Sequence, residues 1–142
     1  MNTAVISVGS NIKPLENIKK AEAALAQDHK ITARTDLKRT APRGFTEQPD
    51  FYNGAFLIET KLNICELKSS LLKTEHLLKR KRSENRNGPR TIDLDITFFN
   101  WKLIDSDYFR YDFVRGASLQ LLAARCSPPG AGTALFAGLG RL

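Results

Sequence analysis

At 142 residues the chain is long enough for one domain with a proper core and too short for two. Its hydrophobic fraction of 42% and charged fraction of 26% are ordinary for a globular protein, and it has no apolar run long enough to predict a membrane span. A formal charge of +7 predicts an anionic partner, whether nucleotide, nucleic acid or acidic membrane surface.

Residues 3–9, T-A-V-I-S-V-G, form a nearly continuous apolar run that reads as a buried strand, broken at Gly9-Ser10-Asn11. The opening lacks the charged-then-apolar layout of a signal peptide. Cys65 and Cys126 fit neither a disulfide framework nor a metal cluster. Both features predict a reducing, cytoplasmic setting. Pro14 suits the first turn of a helix, which continues along Leu15, Ile18, Ala21 and Leu25 to about Gln27. Residues 30–39 alternate weakly through Ile31, Ala33 and Leu37 and predict an edge strand. Residues 40–50, T-A-P-R-G-F-T-E-Q-P-D, are loop chemistry, too long for a hairpin turn and of a length that usually serves function. In residues 51–60, Phe51, Asn53, Ala55, Leu57 and Glu59 share one strand face, and Tyr52, Gly54, Phe56, Ile58 and Thr60 the other. Asn63 and Glu66 read as a capping box. They open a helix buried along Ile64, Leu67, Leu71 and Leu78.

From Lys73 to Arg90 seven basic residues (Lys73, Lys79, Arg80, Lys81, Arg82, Arg86, Arg90) face only Glu75 and Glu84, a net +5. This run feeds into N-G-P-R-T-I-D-L-D, residues 87–95. After Gly88-Pro89 the pattern alternates, with Thr91, Asp93 and Asp95 on one side and Ile92, Leu94 and Ile96 on the other. Residues two apart on a strand point the same way, about 7 Å apart. Two carboxylates so placed repel, by about 4 kcal/mol at 4 Å and an effective dielectric near 20. Mg²⁺ relieves that repulsion directly, because one or two carboxylates, water and substrate phosphates complete its shell. A bare D-x-D is more often a pair of solvated acids, and a charge run is usually a solvated face. Their adjacency favours a metal–polyphosphate site, with guanidinium groups gripping phosphoryl oxygens.

The element order is strand–helix–strand–strand–helix–strand, the α+β, ferredoxin-like βαββαβ sandwich with both helices on one face of an antiparallel sheet and the other face open for a ligand. Asn53 then lies near Asp93 and Asp95. Residues 101–104 extend the sheet as a hairpin arm, and residues 119–124 form a short helix. The expected organisation is a single domain over residues 1–126 and a loosely packed, glycine- and proline-rich tail over 127–142. His29 and His76 read as surface histidines rather than catalysts.

Three separated blocks, A-V-I-S-V-G-S-N, T-A-P-x-G with Q-P-D-F-x-N, and G-P-R-T-I-D-L-D, resemble the 6-hydroxymethyl-7,8-dihydropterin pyrophosphokinase family over roughly residues 1–105. The resemblance implies the ferredoxin-like fold and Mg²⁺-dependent transfer of pyrophosphate from ATP to the hydroxymethyl group of a reduced pterin, a step of folate biosynthesis. It implies that Asp93 and Asp95 hold two Mg²⁺ ions. Thr40, Pro42, Gly44, Phe51 and Asn53 would bind the pterin, Phe51 by stacking and the 40–44 segment through its backbone. Arg80 and Arg90 would act on the transferring phosphates, and Glu75, Arg82 and Ile96 would contact ATP. By residue type alone, Phe51 is more often core than platform, and Glu75 more often a helix-face carboxylate paired with Lys79.

The chain departs from that family in two places. Asn87 stands where tryptophan is common. Beyond residue 105 the expected proline–histidine pair, arginine, phenylalanine and P-L-x-E-I-A-P are missing. Arg110-Tyr111-Asp112 and Arg115-Gly116, with Phe113 or Ala117 at the stacking position, are the nearest substitutes, and no histidine follows His76. A frame change or a divergent terminus would each produce this. The alternatives are a weakened relative that only binds nucleotide, and a basic RNA-binding module of the same topology. The RNA-recognition octamer is absent, and two acids on the open face would repel phosphate without metal. The expected partners are therefore ATP and the pterin, with neither nucleic acid nor membrane, and the expected state is a monomer.

Overall fold

The computed structural model describes residues 1–42, 46–78, 91–104 and 121. Among them are β1 (Asn2–Ser10), α1 (Pro14–Asp28), β2 (Lys30–Arg34), β3 (Lys38–Thr40), β4 (Phe51–Thr60), α2 (Ile64–Leu77), β5 (Asp93–Phe99) and β6 (Lys102–Leu103). The sheet runs β2-β4-β1-β5-β6, with β3 also on β4 and every pairing antiparallel. The α+β, ferredoxin-like expectation holds. No helix among the described residues is long and apolar enough to cross a membrane.

Strand β1 is central, so both of its faces must be filled. Ala4, Ile6 and Val8 turn toward the helices, where they pack with Ile18, Ala21, Leu25, Phe56, Ile58, Leu67, Leu71, Ile92, Leu94 and Ile96. Burying a side chain the size of Phe56 contributes about 1.5–3 kcal/mol, and this cluster holds the two layers together. The odd positions face away from the helices and lose bulk along the strand, from Val5 through Ser7 to Gly9. Val5 joins a second cluster with Ala33, Ala55, Phe98 and Leu121, bordered by Leu57 and Trp101. The sheet face opposite α1 and α2 is therefore apolar at one end, where helical Leu121 packs on it, and polar at the other.

Two irregularities create that division. Between Val5 and Ile6 the pairing to β5 skips a residue, so Ile6 meets Ile96 while Val5 meets Phe98. Thr97 is the extra residue, fully buried, and its hydroxyl donates to Val5 O at 3.2 Å. A bulge reverses the facing of everything after it, which turns Phe98 onto the same side as Asp93 and Asp95. Strand β2 shows the same device: the register to β4 shifts between Ile31 and Ala33, and the Thr32 hydroxyl donates to Leu57 O at 3.2 Å.

Several sequence expectations need correction. Residues 30–39 form two strands, not one, separated at residues 35–37, where Thr35 takes the Ala55 amide on its hydroxyl at 2.9 Å. Leu15, expected in the α1 stripe, is 53% exposed, and the buried residues of that helix are Asn17, Ile18, Ala21 and Leu25. His29 is 7% exposed rather than a surface group. It hydrogen-bonds through Nδ1 with Thr60 Oγ1 (2.8 Å) and through Nε2 with Ser70 Oγ (3.3 Å). Burial holds its imidazole below the usual 6.5, partly offset by Asp28. The capping box is present: Asn63 Oδ1 accepts from Glu66 N–H at 2.9 Å and Glu66 Oε1 from Asn63 N–H at 3.0 Å. Leu121, from the expected helix at 119–124, is helical and fully buried. The 127–142 tail lies outside the described residues.

Candidate active site

The polar end of the face opposite α1 and α2 is assembled by register. Gly9 pairs with Asn53 on one side and Asp93 on the other; one step along, Ser7 pairs with Ala55 and Asp95. Directly opposed residues of an antiparallel pair share a face, so Asn53, Gly9 and Asp93 form one row and Ala55, Ser7 and Asp95 the next. Two strand spacings put Asn53 about 10 Å from Asp93, with a side-chain-free floor at Gly9 between them. Asp93 is half-buried and Asp95 exposed, while Leu94 between them is in the core. Both carboxylates therefore leave the sheet on the side away from the helices, as the alternation predicts.

Asn53 is the buried member of the row, at 7% exposure. Its Nδ2 donates to Thr40 Oγ1 at 2.6 Å, linking β4 to the end of β3. A Cβ at Gly9 would stand 2.6 Å from Asn53 Oδ1, so the amide lies flat over the glycine because nothing projects there. Phe51 and Thr40 pair at the β3–β4 end, on the same face as Asn53 by alternation. The loop they bound is tied at both ends. Arg39 Nε donates to Asp50 Oδ2 at 3.0 Å, and buried Asn11 donates to Gln48 Oε1 (2.8 Å) and Pro49 O (3.0 Å). Pro42 is half-buried on its near side.

Glu75 corrects the reading of a helix-face carboxylate. It is 4% exposed, and its Oε2 accepts the Leu94 N–H at 3.0 Å. That amide faces outward from β5, on the side away from β1, between the two aspartates. A buried carboxylate on α2 thus braces the strand that carries both acids. The Ile96 side chain lies in the helix-side core. Its backbone, two residues beyond Leu94, turns to the same outer edge of β5, so only main-chain groups of Ile96 are available to a ligand.

Gly44, Arg80, Arg82 and Arg90 lie outside the described residues, as do Asn87 and residues 105–120. Among the described residues no cluster of three or more His, Cys, Asp or Glu side chains could hold an ion. Two same-face carboxylates suit a cation whose shell is completed by a ligand's phosphates and water. Sequence reasoning missed Gly9, Asn11 and the Thr40 hydroxyl. Gly9 carried a signal, since a glycine within a strand often marks close approach by another group.

The model of the 7,8-dihydro-6-hydroxymethylpterin-pyrophosphokinase (HPPK) family matches residues 5–123. The chain is 38% identical over 109 residues to the 2-amino-4-hydroxy-6-hydroxymethyldihydropteridine pyrophosphokinase of Bacillus subtilis, covering 75% of this chain and 65% of the relative. The enzyme of the same name from Campylobacter jejuni is 38% identical over 106 residues, 70% of this chain and 65% of its own length. The mitochondrial folate synthesis bifunctional protein of Pisum sativum is 39% identical over 105 residues, 72% of this chain and 20% of that protein. The chain thus spans 65% of the two single-function relatives, and the matched stretch includes the sheet that brings Asn53, Gly9, Asp93 and Asp95 together. It belongs to the 7,8-dihydro-6-hydroxymethylpterin-pyrophosphokinase family.

Proposed function

We propose that this chain transfers pyrophosphate from ATP to the hydroxymethyl group of 6-hydroxymethyl-7,8-dihydropterin, in the cytoplasm and as a monomer, as a step of folate biosynthesis. The observation that carries the reading is the row Asn53–Gly9–Asp93, with Asp95 one step along the same face. A flat heterocycle fits the Asn53 end, and a triphosphate the acidic end when a cation accompanies it.

In this reading Asn53 and the backbone at Thr40 and Pro42, with Gly44, take the polar edge of the pterin, and Phe51 stacks on its ring. Asp93 and Asp95 would hold Mg²⁺, two ions with ATP bound, which supplies neutralisation of the phosphoryl charge. Arg80, Arg82 and Arg90 would grip the phosphates, and the edge of β5 at Glu75 and Ile96 would meet the nucleotide. The pterin hydroxyl oxygen bonds to the β-phosphorus of ATP as the bond from that phosphorus to the α–β bridging oxygen breaks. AMP leaves and the hydroxyl proton passes to solvent. Such a transfer needs positioning and charge neutralisation more than covalent chemistry from the protein.

The test is AMP release from ATP and Mg²⁺ with and without hydroxymethyldihydropterin. Pterin-dependent AMP supports the proposal. Tight nucleotide binding with no AMP would make the chain an inactive relative, and salt-sensitive RNA binding indifferent to Asp95→Ala would make it a nucleic-acid module.

A further inference from the structure

We infer that the Thr40 side chain is a positioning residue for pterin recognition, acting through Asn53; the inference rests on the pterin reading above. Asparagine recognises a heterocycle only when its amide is turned the right way, because its two ends exchange an acceptor for a donor. Here one end is taken. Asn53 Nδ2 donates to Thr40 Oγ1 at 2.6 Å, a short bond between two strands of the sheet. The other end, Oδ1, rests above Gly9, where an added Cβ would sit 2.6 Å away. Buried to 7% exposure, the amide is confined by Thr40 at one end and by the bare floor of Gly9 beneath.

The arrangement has a chemical consequence. With Nδ2 committed to Thr40, the atom offered toward Asp93 is an acceptor, flanked by the second N–H of the same amide. That acceptor–donor order suits a ring edge that presents an N–H or amino group beside a carbonyl, as an aminopyrimidinone does. It also sets which way up such a ring must lie, because turning the ring over reverses the order along its edge. Pre-setting the side chain also removes the ordering cost that ligand binding would otherwise meet, a factor of about two to ten in affinity for one immobilised side chain.

Thr40→Val keeps the β-branched shape of the residue and deletes only the hydroxyl; Thr40→Ser restores it. Gly9→Ala presses on the same amide from below. The experiment combines side-chain amide NMR of Asn53 with KM for hydroxymethyldihydropterin and for ATP. Expected in the unaltered protein and in Thr40→Ser is one Asn53 amide proton protected from exchange. Thr40→Val and Gly9→Ala should lose that protection and raise the pterin KM about two- to tenfold, with ATP KM little changed. An Asn53 amide unchanged in Thr40→Val overturns the inference, as does an unchanged pterin KM when Asn53→Ala raises it. Failure of the unaltered chain to bind the pterin at all would instead remove the functional reading on which the inference rests.

Discussion

Replacing Glu75 by alanine removes the acceptor from a bond buried at both ends, since Glu75 and its donor residue Leu94 are each about 4% exposed. The bond is 3.0 Å long and has a carboxylate acceptor, a class worth about 1.5–3 kcal/mol, and orphaning the buried N–H costs about 1–3 kcal/mol. Removing a buried carboxylate recovers part of that, so the expected net loss is about 2 kcal/mol. Glu75→Gln keeps an oxygen acceptor and should lose about half as much. With a urea m-value of about 1.5 kcal/mol/M, the midpoints should fall by about 1.3 M for alanine and about 0.7 M for glutamine. The second readout is local. Leu94 lies between Asp93 and Asp95, so its amide should exchange faster in Glu75→Ala than in the parent, and Mg²⁺-dependent ATP binding should weaken. Alanine as stable as the parent, or more stable than glutamine, would refute the idea that this carboxylate braces β5.

Two further outcomes follow from the fold. His29 is buried with its imidazole held below 6.5 by desolvation. As pH falls through 6.5 the unfolded chain protonates first, so stability is full above that pH and declines below it until the folded imidazole titrates; His29→Gln should flatten this slope in urea unfolding at a series of pH values. Asn63→Ala removes the side-chain acceptor of the capping box at α2 and should cost about 1 kcal/mol by the same assay.

Alternation alone put Asp93 and Asp95 on the face opposite Leu94, and it sorted residues 51–60 onto the faces they occupy, because both strands have one strongly apolar side. The capping box was equally legible, being wholly local. What the sequence could not reveal depends on partners distant along the chain. Glu75 looks like any helix carboxylate until its acceptor role toward Leu94, nineteen residues on, is known. His29 is buried because Thr60 and Ser70 satisfy its nitrogens, 31 and 41 residues away. The bulge at Thr97 is likewise hidden, since D-L-D-I-T-F-F reads as unbroken alternation up to Thr97, and only the pairing with β1 decides where a residue is surplus. Leu15 has the helical spacing of Ile18 and Leu25, yet in the first turn of α1 it is 53% exposed.

In the proposed function Asp93 and Asp95, beside Gly9 on the face opposite α1 and α2, carry the metal–triphosphate end of a pyrophosphoryl transfer. The direct measurement is pterin-dependent AMP release by Asp95→Ala beside the unaltered protein, with urea unfolding of both. AMP should fall to the no-enzyme background while the unfolding midpoint stays close to the parent's, since Asp95 is exposed. Near-parental AMP release from a folded Asp95→Ala protein would contradict it.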